Sequence, residues 1–213
     1  MLSGFLFLFI IITNLASGRF GYKAFSDLDA DAELQKIDSD PKRFKIGIVL
    51  ILIEHISIIC LALTLFLAFN PYNIVLAVVW AISRTGEGLI QVYNKKSYWG
   101  LLNTAKQFAG ANGVEKNALI NKGRSVLKTK NAVFTFAQIL FSIGTLAYSI
   151  LFATYGVVPE TIGWLGIVAS ILYGFGNGIK LAANIKALWN IGGLLILIFE
   201  LVLGGWLLFS PLI

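Results

Sequence analysis

Arg84 and Glu87 stand three residues apart inside the apolar stretch 73–94, NIVLAVVWAISRTGEGLIQVYN. A spacing of three puts both side chains on one face of a helix. A lone charge at the centre of a bilayer costs about 2.5–3.5 kcal/mol on insertion scales, so a guanidinium and a carboxylate on one face relieve each other. Two more acids interrupt apolar runs: Glu54, followed by His55, in LILIEHISIICLAL, and Glu200 in IFELVLGGW. Three carboxylates against one arginine cannot all ionise independently in a medium of low dielectric constant, so these groups titrate as a coupled set. Such a set can carry protons, bind a cation or grip a polar solute. It can equally lock helices together, and composition alone does not choose between the two.

Other chemistry is poorly supplied. His55 is the single histidine and Cys60 the single cysteine, which excludes multi-histidine metal sites, thiolate metal sites and intrachain disulfides. The chain has no GxSxG elbow. Gly174, Gly176 and Gly178 precede Lys180 without a phosphate-loop GxxxxGK[ST] pattern. No catalytic residue, cofactor or metal is expected, and the protein is not expected to be an enzyme.

The positioning elements are apolar helices. Of 213 residues, 57% are hydrophobic and 13% charged, with a mean hydropathy of +0.81. Soluble domains run near 45–50% apolar and about 25% charged. Six apolar segments, about 2–17, 46–69, 74–93, 132–155, 161–181 and 187–209, approach the roughly 20 residues that cross a ~30 Å hydrocarbon core. The expected fold is all-α, one polytopic membrane domain of six helices over residues 1–213. No Lys or Arg precedes Arg19, so the first segment lacks the basic region of a signal peptide and is expected to be a retained anchor. Asp40-Pro41 should start the second span, and Asn70-Pro71-Tyr72-Asn73 should turn it into the third.

Every basic residue except Arg84 falls in 18–45, in 94–130, or at Lys180 and Lys186. The positive-inside rule makes those three connections cytoplasmic and both termini external. In 18–45 six acids balance the bases without a calcium-loop spacing, which suggests a solvated helical connector. In 94–130, Tyr98, Leu101, Leu102, Ala105, Phe108 and Ala109 mark one apolar helical face. The expectation is an in-plane helix on anionic inner-leaflet lipid, with Lys95, Lys96, Trp99 and Lys106 at the lipid surface. The bases form no nucleic-acid motif, so no nucleic-acid partner is expected.

With that orientation, a rise of 1.5 Å per residue places Glu54 and His55 roughly 12–14 Å from the inner surface, Arg84 roughly 14 Å and Glu87 roughly 9 Å. Glu200 lies deeper, at about 20 Å. Glu54, His55, Arg84 and Glu87 therefore form the expected polar centre, and Glu200 joins it if the last span packs against them. Asn14, Gln91, Gln138 and Asn177 read as interhelical hydrogen-bonding residues, and the glycines of the last two spans as close-packing positions.

The order of these features resembles the uncharacterised bacterial and archaeal membrane proteins grouped as domain of unknown function 4386. The residues that carry the likeness are Glu54 in its apolar helix, RTGE at Arg84 and Glu87, VVPETIGWLG with Pro159 and Trp164, and Glu200 followed by Trp206. Gln138 stands where an acid of the fourth helix would be expected. The resemblance implies a shared six-helix fold, a shared polar centre including Glu200, and a bacterial or archaeal plasma membrane. It brings no activity. Two readings follow: a small transporter-like protein for a proton, ion or polar solute, or a non-catalytic subunit or lipid-contacting scaffold with an unidentified protein partner.

Overall fold

Side chains at the helix starts set the boundaries, as the sequence suggests. In a computed structural model describing residues 1–183 and 187–210, Asp40 accepts a hydrogen bond from Arg43 N at 2.9 Å and Pro41 follows as the first helical residue. Asn73 does the same for Leu76 N at 3.1 Å, and Asp29 for Ala32 N at 3.1 Å. These acceptors satisfy amides that a helix start leaves unpaired. Helix is the only regular structure among the described residues: α1 (Leu2–Arg19), α2 (Ala30–Ser39), α3 (Pro41–Phe69), α4 (Ile74–Trp99), α5 (Leu101–Gly110), α6 (Gly113–Tyr155), α7 (Glu160–Ala183) and α8 (Ala187–Phe209). Gly156 ends α6 at φ 63°, in the left-handed region that glycine adopts without a Cβ clash.

The fold is an all-α polytopic bundle in which six helical stretches are long and apolar enough to cross a membrane. The six long helices pack pairwise in the order α1, α3, α4, α6, α7, α8 and back to α1, a closed ring. Close approaches depend on glycine at a few places. A Cβ on Gly204 of α8 would lie 2.9 Å from the Cβ of Phe7 of α1, and one on Gly4 would meet Gly204 O at 2.6 Å. A Cβ on Gly192 of α8 would sit 2.6 Å from the Cα of Tyr173 on α7. Because that contact is with backbone, Gly192→Val is expected to destabilise the folded protein by about 1–3 kcal/mol through overpacking. Denaturant titration in detergent micelles checks this, and a variant as stable as the parent would show that α7 and α8 separate at no cost.

With 43 residues, α6 is about 65 Å long, roughly twice the hydrocarbon thickness. Its first half extends beyond the ring, and α2 and α5 pack on it. Leu34, Ile37, Tyr98, Leu101, Phe108 and Leu127 form a second apolar core there. This corrects one expectation. The apolar face of α5 packs on α2 and α6, not on lipid, because Leu34 and Ile37 offer it a protein partner. Lys96, Trp99 and Lys106 remain exposed, but Lys95, expected at the lipid surface, is buried.

The Lys180 ammonium lies 3.7 Å from the Phe25 ring centroid. The end of α7 and the segment after α1 therefore share one end of the ring, with the cap. Lys186 lies outside the described residues. At the other end Asn73 Nδ2 donates to the Tyr155 hydroxyl at 3.1 Å. The bases of the described connections thus gather at one end.

Candidate functional site

Each helix of the ring turns a polar side chain inward. On α4, Arg84 is 1% exposed and donates through Nη1 to Glu87 Oε2. Its guanidinium lies 4.4 Å from the Phe141 ring centroid on α6 and 5.3 Å from that of Trp80. Trp80 is held by donating to Ala62 O of α3 at 3.1 Å. The Arg84 stem runs close to Gly144 of α6, where a Cβ would be 3.1 Å from Arg84 Cγ. The arginine is thus fixed by one carboxylate within its own helix and by aromatic faces around it.

On α3, Glu54 accepts two hydrogen bonds from Asn14 Nδ2 of α1, at 3.2 and 3.0 Å. His55 is 4% exposed, and neither ring nitrogen has a hydrogen-bond partner. Arg84 Nε is likewise unpaired. An unsatisfied buried polar atom costs about 1–3 kcal/mol, so several at one place point to something that completes them. From α6, Gln138 accepts from the Tyr173 hydroxyl of α7 at 2.9 Å. Glu200 of α8 is half-buried. Neither it nor Glu54 forms an ion pair among the described residues.

All five residues of the expected centre line one cavity of about 290 Å³, joined by Asn14, Gln138 and Tyr173. Depth matching had linked Glu54 to Arg84 and Glu87, and the ring brings Glu200 to the same space. Asn14 and Gln138 were legible only as helix-packing polars, although both interrupt apolar spans as the charged residues do. Tyr173 left no signal, because a single uncharged tyrosine in the middle of an apolar span reads as ordinary packing. The described residues contain no group of three or more His, Cys, Asp or Glu able to hold a metal ion.

The floor of the cavity is built from the segment after α1, where Tyr22 and Ala24 line it. Lys130 of α6, buried, donates to Lys23 O at 2.6 Å, Ala24 O at 3.2 Å and Ser26 Oγ at 2.7 Å. Next to it, Asn131 pairs with both backbone groups of Ser26, at 2.9 and 2.8 Å. Lys95 donates to Gln91 at 3.3 Å and lies 5.3 Å from the Tyr22 ring centroid. Burial at these lysines serves to strap the floor in place. The opposite end is filled by packed rings of Trp80, Tyr148, Phe152 and Phe199. Asn14, Leu15 and Leu197 both line the cavity and are exposed. The cavity therefore reaches the surface between α1 and α8.

A family model described as Domain of unknown function (DUF4386) matches residues 2–210. No curated protein matches the chain, and no solved structure does.

Proposed function

We propose, for a chain that belongs to the DUF4386 family, a small transporter-like role in which the ring's central cavity binds a proton, ion or small polar solute. Glu54, Arg84, Glu87 and Glu200 supply the charge, and His55 a further polar contact. The observation that carries this reading is the cavity itself: intramembrane ionisable groups surround a space of about 290 Å³ that includes unpaired nitrogens of His55. A purely structural clasp is less well supported, because the Arg84–Glu87 pair joins residues of one helix and ties no two helices together. We take the site to bind its ligand without catalysis. The basic end is taken as cytoplasmic, in a bacterial or archaeal plasma membrane, with both termini outside.

A scaffold reading draws on a different observation, the exposure of Lys96, Trp99 and Lys106 on the cap. That surface suits anionic inner-leaflet lipid or a protein partner, and it is compatible with a working cavity.

The test is flux of protons, sodium and methylammonium into proteoliposomes. The parent protein is expected to carry at least one of the three above protein-free vesicles, and Glu54→Gln is expected to lower that flux at least tenfold. A parent that carries none, or a folded Glu54→Gln protein that matches it, overturns the transport reading.

A further inference from the structure

The cavity has a floor, a roof and an open side. The strap at Tyr22 and Ala24 closes the floor, and the aromatic core fills the far end. The opening lies between α1 and α8, where Leu15 is 63% and Leu197 38% exposed. In a spanning helix ring that side faces lipid, not water. What enters by this side comes from the hydrocarbon region, yet the far wall is polar.

That wall carries three carboxylates against one guanidinium. Glu87 already engages Arg84. Glu54 is held only by the neutral amide of Asn14, and Glu200 has no ion pair among the described residues. Those two carboxylates call for hydrogen-bond donors carrying positive charge, and the unpaired Arg84 Nε for an acceptor. His55, buried and unpaired at both nitrogens, is a second observation that the space is built for an occupant. The volume, about 290 Å³, is about twice the ~150 Å³ of an apolar cavity that holds benzene. A compact head fits, while a long chain does not and must trail out through the gap.

We infer that the central cavity takes the amine head of a single-chain membrane amphiphile, which enters between α1 and α8 and leaves its chain in the lipid. This rests on the reading of the centre as a ligand site. Binding of the head completes Glu54 and Glu200, and the chain lies against the exposed Leu15 and Leu197. Partition of the chain into lipid brings the amine to the mouth and concentrates it there.

The experiment uses the full chain in phosphatidylcholine nanodiscs. Tetradecylamine and tetradecanol are counted by native mass spectrometry, and radiolabelled methylamine is followed by scintillation proximity. One saturable tetradecylamine per protein is expected, at least tenfold tighter than tetradecanol. Leu15→Trp, a change at an exposed position that should leave melting unchanged, is expected to weaken tetradecylamine at least tenfold and methylamine little. Glu200→Gln should weaken both amines. If methylamine binds and Glu200→Gln abolishes it, but Leu15→Trp and Leu197→Trp leave tetradecylamine untouched, lateral entry is overturned while the centre remains a ligand site. Equal binding of tetradecanol overturns the cationic head. If no amine binds to the parent, the amphiphile proposal falls and the ligand site loses its cationic form.

Discussion

Arg84→Met is expected to destabilise the protein by about 3–5 kcal/mol, the usual cost of removing one partner from a buried ion pair. The methionine would keep most of the stem that packs against Phe141 and beside Gly144, so lost volume is not the cause. The cause is Glu87, left buried with no cation next to it. The second substitution separates charge from packing. Adding Glu87→Gln to Arg84→Met should recover at least half of the loss, since a neutral amide has a smaller burial cost than an unpaired carboxylate. Unfolding in mixed micelles, with a double-mutant cycle over the four proteins, measures both numbers. If Arg84→Met costs less than about 1 kcal/mol, Glu87 is satisfied by water in the cavity or by a proton, and an ion pair that must be kept is the wrong description.

The second large effect belongs to the floor. Lys130 makes three hydrogen bonds to one short segment from a buried position. Bonds to a charged donor contribute about 1.5–3 kcal/mol each and do not add fully, so Lys130→Met should cost about 3 kcal/mol. The change should also be local. Residues 22–26 would lose their anchor on α6, while the ring helices keep their packing. Limited proteolysis is expected to cut near Lys23 and Phe25 in the variant at a rate at least tenfold above the parent. Asn131→Ala should show the same cut more weakly, since it removes only the pairing with Ser26. Uniform proteolysis along the chain would mean instead that Lys130 supports the whole bundle.

These two residues also show what a sequence can and cannot reveal. The six spans were legible because lipid leaves a strong mark: long apolar runs, and bases confined to three connections. Arg84, Glu87, Glu54 and Glu200 stood out because a charge in such a run has no ordinary explanation. Lys95 and Lys130 did not stand out. Each lies at the edge of a span, where a lysine normally extends its ammonium to water, and only the tertiary fold reveals that Tyr22 and the strap cover them. The apolar face of α5 was seen correctly, but its partner was not. Amphipathicity states that a face will be covered; it does not distinguish a lipid surface from α2. Tyr173 and Gln138 were illegible as a pair because residues thirty-five apart meet only once the α6–α7 hairpin is formed.

The ring has one seam unlike the others. Neighbours α1–α3, α3–α4, α4–α6, α6–α7 and α7–α8 follow one another along the chain with at most a small cap element between them, whereas α8 meets α1 across nearly the whole sequence. At about 5–20 residues per second of synthesis, the ribosome needs roughly 10–40 s to go from Asn14 to Glu200. During that interval Glu54, Arg84 and Glu87 are inserted but not yet enclosed, so the nascent chain must hold them by local pairs. The Arg84–Glu87 contact within α4 and the Asn14–Glu54 contact between the first two spans are both available early. The side chains that complete the cavity last are therefore those that can wait.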